Sequence, residues 1–194
     1  MPRAGSRTRL RNGELAAALA AHAYLEGDFV LRSGRHSRYY LDKYRFETDP
    51  VLLQALGERV AEAVARYEPQ ARRLAGPELG AVALTASASL ASGLPFVIVR
   101  KEAKQYGTAN RLEGAYERGE RVCLVEDVVT SGGAAAEAVV ALRAAGLQCK
   151  TAVCVVDREE GGADALARHA VRLRALFRAS EIAAARKSAA NPHG

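Results

Sequence analysis

Short apolar runs alternate with longer stretches of small and apolar residues through the second half of the chain. Four such runs predict strands: "RRLAG" at 72–76, "PFVIV" at 95–99, "RVCLVE" at 121–126 and "CKTAVCVVD" at 149–157. Between them, "ELGAVALTASASLAS" at 78–92 and "GAAAEAVVALRAAG" at 133–146 predict helices. This alternation indicates an α/β fold with parallel βαβ units, whose ligands bind beyond the carboxyl ends of the strands.

The first half of the chain carries two amphipathic helix patterns. The first begins with Asn12 as cap, is expected to stop at Gly27, and has Leu15, Leu19, His22 and Leu25 at helical spacing, with His22 expected to be a packed or half-exposed helix residue rather than a ligand. The second has Asp49 as N-cap and Pro50 at the first helical position, and its apolar face contains Leu53, Leu56, Val60, Val64 and Tyr67. Two helices are therefore predicted ahead of the first strand of the main sheet.

Two polar stretches interrupt these patterns. The first, "LRSGRHSRYYLDKYRF" at 31–46, is rich in cations, hydroxyls and tyrosines; the second, "RKEAKQYGTANRLEGAYERGE" at 100–120, separates two predicted strands. Polar segments of this length inside a compact domain are typical of functional lids or disorder. The second stretch is therefore expected to contain a long flexible loop over residues 101–118.

Composition limits the organisation of the chain and its surroundings. With 194 residues, of which 49% are hydrophobic, the chain is expected to form one domain, with a basic arm at 1–11 and a tail at 188–194 disordered. Three cysteines without CxxC spacing predict buried reduced thiols rather than a disulfide or zinc framework. No apolar segment typical of a secretory signal follows the N-terminal arginines, so we expect a cytoplasmic protein without a membrane partner.

The net charge of +6 predicts an anionic partner, and the stretch "VCLVEDVVTSGGAAAEAV" at 122–139 indicates which kind. A strand, a glycine-rich turn and a helix place backbone N–H groups and the positive end of a helix dipole around a phosphate-sized concavity. Its residues are Val128, Val129, Thr130, Ser131, Gly132, Gly133 and Ala134. Glu126 and Asp127 would be repelled by that phosphate, and are expected to accept hydrogen bonds from a ribose diol beside it. Taken alone, an Asp that caps a helix remains the ordinary alternative.

This stretch resembles the phosphoribosyl-pyrophosphate motif of the type I phosphoribosyltransferases, and the remaining motifs resemble the members that act on orotate. They are "FVLRSGRHSRYYLDK", "VIVRKEAKQYGTANRLEG" and "VVDREEGG", in the family's order over roughly residues 12–185. The resemblance implies a parallel sheet flanked by helices with a small N-terminal hood. It also implies transfer of the phosphoribosyl group to N1 of orotate, giving orotidine 5′-phosphate, with Mg²⁺ bound through the substrate pyrophosphate rather than by protein ligands.

The resemblance assigns the reaction's cations to the second polar stretch. Arg100, Lys101 and Lys104 are expected to stabilise the leaving pyrophosphate, with Lys104 the most rate-sensitive and Asp127 also catalytic. A lone "RKEAK" is otherwise typical of a solvated helical turn. The resemblance further implies a homodimer in which the loop around Lys104 reaches the neighbouring subunit's site.

Orotate recognition is expected from the first polar stretch and from the end of the last predicted strand. Tyr39 and Tyr40 offer a ring face and edge, and one of the two is expected to be structural. Arg32 can neutralise carboxylate or phosphate oxygens, while Arg158 resembles the family arginine that holds orotate. Its planar fork suits a carboxylate and carbonyl edge that a purine lacks.

Three positions depart from the common bacterial pattern. Leu79 stands where a pyrophosphate-binding lysine is frequent, Tyr106 where a histidine is, and Ala134 where a hydroxyl residue is.

Two rival functions remain open. One rival is a phosphoribosyltransferase for a purine or for uracil, which needs only the phosphate cradle. The other is a non-catalytic regulator that senses phosphoribosyl pyrophosphate and binds nucleic acid with its arm, but the arm lacks interleaved aromatics.

Overall fold

A computed structural model describes residues 10–30, 34, 36–102 and 111–190. The described strands are β1 (Tyr24–Val30), β2 (His36–Leu41), β3 (Arg73–Pro77), β4 (Phe96–Val99), β5 (Leu112–Glu113), β6 (Arg121–Val129), β7 (Gln148–Asp157) and β8 (Arg172–Arg178). The described helices are α1 (Asn12–Ala23), α2 (Lys43–Glu47), α3 (Pro50–Tyr67), α4 (Gly80–Ser92), α5 (Gly133–Ala144), α6 (Gly162–Arg168) and α7 (Ala179–Ala190).

Six strands form the main sheet in the order β5-β4-β3-β6-β7-β8. All neighbours are parallel except β5, which pairs antiparallel with β4. The four strands and two helices predicted for the second half of the chain are thus confirmed. The chain order of the strands reverses between β3 and β6. The carboxyl ends of these central strands lie at the same edge of the sheet, which is where ligands of such sheets bind.

The sheet is buried on both faces because successive side chains of a strand point to opposite sides. In β6, Cys123 and Val125 pack into a core with α1, α3, α4 and α7, whereas Val122 and Leu124 pack into a second core with α5 and α6. Helices therefore cover both faces of a mostly parallel sheet, which confirms the α/β prediction. All three cysteines are buried and unpaired.

The N-terminal region differs from the sequence prediction at both ends of its first helix. Helix α1 ends at Ala23 rather than at Gly27, and Leu25 belongs to β1, which pairs with β2 as a separate antiparallel hairpin. The helix also begins after Arg11, whose side chain and backbone bond Glu14 in place of an Asn12 cap. The predicted start of α3 is confirmed, since Asp49 accepts hydrogen bonds from the N–H groups of Val51 and Leu52.

Two further segment boundaries differ from those predicted from the sequence. Residues 112–113, expected within the flexible loop, form the edge strand β5, and residues 188–190, expected in the tail, belong to α7. Residues 1–9 of the basic arm, 103–110 of the loop and 191–194 of the tail lie outside the described residues. Within the described part, no helix combines the length and apolar character needed to cross a membrane.

Candidate active site

The glycine-rich turn follows β6 at the carboxyl edge of the sheet and leads directly into α5. Gly132 has a φ of +81°, and a Cβ at this position would lie 2.9 Å from the carbonyl oxygen of Gly162. Only glycine fits this left-handed and crowded position without strain. The turn is further fixed by the Arg158 N–H, which donates to the carbonyl of Val129 over 2.9 Å.

A cavity of about 890 Å³ opens over this turn. It brings together twelve of the predicted site residues with further groups from β3 and from the end of β4. The predicted residues on its wall are Tyr40, Arg100, Lys101, Glu126, Val128, Val129, Thr130, Ser131, Gly132, Gly133, Ala134 and Arg158. Asp127 and Tyr39 are not part of the wall, and Arg32 and Lys104 lie outside the described residues.

Glu126 is the acidic residue of the predicted pair that reaches the cavity. It is only 7% exposed, and its Oε1 atom has no hydrogen-bond partner within the described part of the chain. Burial, and then the neighbouring Asp127 carboxylate, raise the pKa of Glu126 to about 8. A buried oxygen without a partner is costly, so the Oε1 atom of Glu126 is available to a hydrogen-bonding ligand in the cavity.

Asp127 points instead toward α2 and the beginning of α4. Its Oδ2 atom lies 2.6 Å from Nζ of Lys43, and its Oδ1 atom accepts the N–H of Val128. Glu47, one turn after Lys43, is also buried, and burial followed by the Asp127 carboxylate raises its pKa. Sequence reasoning missed Lys43 and Glu47; their only signal was a cation near the end of the first polar stretch and an acid four residues later, directly after that stretch.

Cations gather at the opposite end of the cavity, where β4 and β5 meet. Arg111 lies on the wall with Arg100 and Lys101, and was not predicted. The Arg100 N–H donates to the carbonyl of Arg111 over 2.8 Å, and Nε of Arg111 donates back to the carbonyl of Arg100 over 3.1 Å. Glu78 accepts the N–H of Lys101 over 2.9 Å. The described residues on either side of the segment 103–110 are therefore hydrogen-bonded at the cavity wall.

The two tyrosines of β2 have different surroundings. Tyr39 stacks on Tyr24, with ring centroids 5.0 Å apart, and the guanidinium of Arg158 lies over its other side. Tyr40 is exposed and lies on the cavity wall, with its ring 5.6 Å from that of Phe29. Tyr39 thus has a structural position and Tyr40 the position of a contact residue.

Two of the unusual positions fall within the described residues. Leu79 is 71% exposed at the start of α4 and adds no charge to the cations beside it. Ala134 lies on the cavity wall without a hydroxyl, so the anion-binding capacity of the turn rests on its backbone N–H groups and on Thr130 and Ser131. Tyr106 lies outside the described residues.

A second cavity, of about 600 Å³, lies between the ends of α3 and α4 and contains no cation among its lining residues. Glu58, Glu62 and Glu68 contribute its charges, so an anionic ligand is disfavoured there. Within the described residues, no group of three or more His, Cys, Asp or Glu side chains is arranged to hold a metal ion. The cavity at the carboxyl edge is therefore the candidate active site.

Comparison with known proteins gives a consistent result. The sequence profile of the phosphoribosyl transferase domain matches residues 46–173. Orotate phosphoribosyltransferase of Methanocella arvoryzae is 51% identical over 156 residues, which cover 80% of this chain and 87% of the relative. The crystal structure of orotate phosphoribosyltransferase from Aeropyrum pernix superimposes with a TM-score of 0.79 and 34% identity, covering 87% of this chain and 95% of that one.

A third comparison concerns a ligand complex. Orotate phosphoribosyltransferase of Mycobacterium tuberculosis in complex with 5-phospho-alpha-D-ribosyl 1-diphosphate has a TM-score of 0.75 and 28% identity. The match covers 89% of this chain and 98% of that protein. Near-complete coverage of both chains shows that the likeness extends over the whole fold.

Proposed function

The chain belongs to the phosphoribosyl transferase family, among the orotate phosphoribosyltransferases, and we propose that its cavity transfers a 5-phosphoribosyl group to orotate. In this reaction N1 of orotate forms a bond to C1 of the ribose. The bond between C1 and the diphosphate oxygen breaks, and the diphosphate leaves with the electron pair. The proton on N1 is released to the diphosphate or to water. The product, orotidine 5′-phosphate, belongs to pyrimidine nucleotide biosynthesis.

The observation that carries this proposal is the unpartnered Oε1 atom of Glu126 beside the glycine-rich turn. A ribose 5-phosphate satisfies both features at once: the turn's N–H groups bind the phosphate, and a ribose hydroxyl donates to Glu126. A ligand with phosphate alone would leave the carboxyl oxygen unsatisfied.

The cations of β4 and β5 face the charge that develops when the diphosphate leaves. Arg100, Lys101 and Arg111 supply three positive side chains on the same wall, and Lys104, outside the described residues, is proposed to add the most rate-sensitive one. Positive charge placed there in advance stabilises the leaving group without a covalent protein intermediate. Asp127 is proposed to support this chemistry from beneath the turn.

Magnesium is proposed to enter with the substrate, bound to its diphosphate oxygens. When bound, it neutralises part of the charge that builds up on the leaving group. The side chains at this end of the cavity fit that arrangement, because cations such as Arg100 and Arg111 attract a diphosphate complex and repel a bare metal ion. The protein residues accordingly bind and orient the diphosphate.

Orotate is proposed to bind between Tyr40 and Arg158. Arg158 is buried at the end of β7, and its Nε atom lies 3.0 Å from Oε1 of Glu160. A planar guanidinium held in this way matches the carboxylate and adjacent carbonyl of orotate. Tyr40 offers its ring to the pyrimidine, and Arg32, outside the described residues, is proposed as a second cation for the substrate.

A base-by-base activity assay tests the proposal. Phosphoribosyl pyrophosphate and Mg²⁺ are supplied with orotate, uracil, adenine or hypoxanthine, and nucleotide formation is followed by chromatography. We expect product with orotate and, at equal concentrations, far less with the other bases. Turnover of another base with orotate inert would reject the assignment, and salt-sensitive nucleic-acid binding without turnover would favour the regulator.

The oligomeric state is a further part of the proposal. We propose a homodimer in the cytoplasm, in which the segment around Lys104 completes the neighbouring subunit's active site. Mixing two impaired variants, Lys104→Ala and Arg158→Gln, should then restore part of the activity measured at low orotate, because mixed dimers contain one site with both native residues. A mixture that is no more active than the separate variants after subunit exchange would contradict the shared site.

A further inference from the structure

Helix α2 places a lysine and a glutamic acid side chain beside the same carboxylate. Nζ of Lys43 lies 2.6 Å from Oδ2 of Asp127, and the side chain of Glu47, four residues later on the same short helix, also contacts Asp127. The Asp127 side chain is 3% exposed and that of Lys43 is 31% exposed, so the pair is shielded from water mainly on the acid's side. Shielding of this kind strengthens a charge-assisted hydrogen bond.

The beginning of α4 leaves room for this pair. A Cβ at Gly80 would lie 2.0 Å from Oδ2 of Asp127 and 2.2 Å from Nζ of Lys43. Any larger residue must displace one of these atoms. Three elements, α2, α4 and the end of β6, therefore pack around the Lys43–Asp127 ion pair. Its two residues are 84 positions apart in the chain.

The charges of this cluster fit one arrangement of protons. Lys43 is the cation that pairs with Asp127, while Glu126 and Glu47 would add two further negative charges if both were ionised. Burial and the charge of Asp127 raise the pKa of Glu47, which keeps it protonated at neutral pH. A neutral Glu47 has a proton available for Asp127, although its Oε1 atom has no hydrogen-bond partner within the described residues, and the Lys43–Asp127 pair then supplies the net charges.

Asp127 connects this cluster to the cavity. Its Oδ1 atom accepts the N–H of Val128, the first residue after the acidic pair, and Glu126 on its other side contributes the unpartnered Oε1 atom of the cavity wall. The orientation of the Asp127 carboxylate thus determines the position of the backbone that carries Glu126 and the first residues of the glycine-rich turn. A shift of that backbone would move Glu126 and the first part of the turn together.

We propose that Lys43 and Glu47 are positioning residues for sugar-phosphate binding, which act by holding Asp127 and with it the end of β6. The inference rests on the proposed function for the identity of the sugar phosphate. It assigns to α2 a role that the motifs of the sequence did not indicate, and it makes Asp127 the link between α2 and the cavity.

The test compares variants by calorimetric binding of phosphoribosyl pyrophosphate and by the kcat and KM of each substrate, below the melting temperature. We expect Lys43→Met and Glu47→Leu each to weaken phosphoribosyl pyrophosphate binding by about tenfold, the loss of one charge-assisted hydrogen bond. The KM of orotate should change little. Lys43→Arg and Glu47→Gln should restore most of the affinity, because each keeps a donor. Gly80→Ala should reproduce Lys43→Met.

A double-mutant comparison separates positioning from simple stabilisation. If Lys43 acts through Asp127, Lys43→Met should have little further effect on binding in an Asp127→Asn background. The matched control is Arg73→Met, which removes a pair of similar geometry, Arg73–Glu120 at 2.8 Å, near the amino end of β3. It should lower the Tm and leave phosphoribosyl pyrophosphate affinity unchanged.

Each outcome decides one claim. Lys43→Met that lowers only the Tm, as Arg73→Met does, or full additivity with Asp127→Asn, would overturn the positioning role. If Lys43→Met does not fold, Glu47→Leu and Gly80→Ala carry the same comparison. A wild-type protein that binds phosphoribosyl pyrophosphate but turns over no base would reject the proposed reaction alone, since the binding comparison still judges Lys43.

Discussion

The guanidinium of Arg158 lies over the ring of Tyr39, with 5.0 Å between its central carbon and the ring centroid. This contact joins the end of β7 to the separate hairpin formed by β1 and β2. A cation–π contact at a partly buried site contributes on the order of 1 kcal/mol and also fixes the plane of the guanidinium. The hairpin therefore orients a residue proposed to bind the nucleobase.

Arg158→Gln should raise the KM of orotate by an order of magnitude or more, while phosphoribosyl pyrophosphate affinity stays near the wild-type value. Tyr39→Leu should raise the KM of orotate by a smaller factor, because it removes only the ring contact that orients the guanidinium of Arg158. The control is Tyr67→Leu, because Tyr67 lies under Arg66 and Arg174 in a similar contact outside the cavity wall. Equal losses for both substrates in Arg158→Gln would contradict a role specific to orotate.

Without ligand, stability should fall as the pH rises from about 5 to about 9, because Glu126 has its pKa raised to about 8 by burial and Asp127. The native state then holds a proton that the unfolded state has already lost above its own pKa of about 4.3. The stabilisation is complete below that value and is lost as the pH passes the folded pKa. The slope per proton is at most about 1.4 kcal/mol per pH unit.

Thermal unfolding across this pH range measures the effect. Glu126→Gln should flatten the curve in part, and the slope that remains should shrink further in the Glu47→Gln/Glu126→Gln double variant, since the pKa of Glu47 is raised in the same direction. Lys43 and Asp127 are the charged groups that face both acids. A Glu126→Gln curve parallel to that of the wild type would show that Glu126 is ionised throughout.

Gly132→Ala should weaken phosphoribosyl pyrophosphate binding strongly and lower the free energy of unfolding by about 1–3 kcal/mol. The added methyl group meets the carbonyl of Gly162 at 2.9 Å and requires a left-handed backbone at a φ of +81°. Gly119→Ala is the control, with a φ of +87° and open space around its Cβ. It should cost stability without changing affinity; a loss of affinity in both variants would point to a general effect of unfolding.

Leu79→Lys should increase affinity for diphosphate and for phosphoribosyl pyrophosphate by a few-fold at low salt, and the gain should fade as salt screens it. Leu79 is exposed at the start of α4, next to Glu78 on the cavity wall. Leu90→Lys adds the same charge to a more exposed position near the other end of α4. Equal gains from both variants would indicate a response to net charge rather than to the site.

The sequence predicted the parts of this protein that depend on local pattern. Apolar runs and turn residues identified β3, β4, β6 and β7, and the order of carboxylates and glycines located the turn. The end of α1 was misplaced because Leu25 continues the helical spacing although it belongs to β1. Strand β8 was missed because charged residues such as Arg172 and Arg174 interrupt its apolar positions.

The residues of the site that sequence reasoning missed are those brought in by tertiary packing. Lys43 reaches Asp127 across 84 positions, and Arg111 reaches the cavity wall through the short strand β5. No local spacing encodes either contact. For the same reason, the sequence offered Tyr39 and Tyr40 as equivalent, and only the packing of the hairpin distinguishes them.

The three cysteines are buried inside the sheet and its two cores, and burial raises the pKa of each, that of Cys149 to about 11. Alkylating agents and peroxides react with thiolates, so these sulfurs become reactive only when the strands around them separate. The rate of covalent labelling of the native protein is therefore limited by the rate at which the strands separate. The extent of cysteine labelling over time would report how frequently the sheet opens.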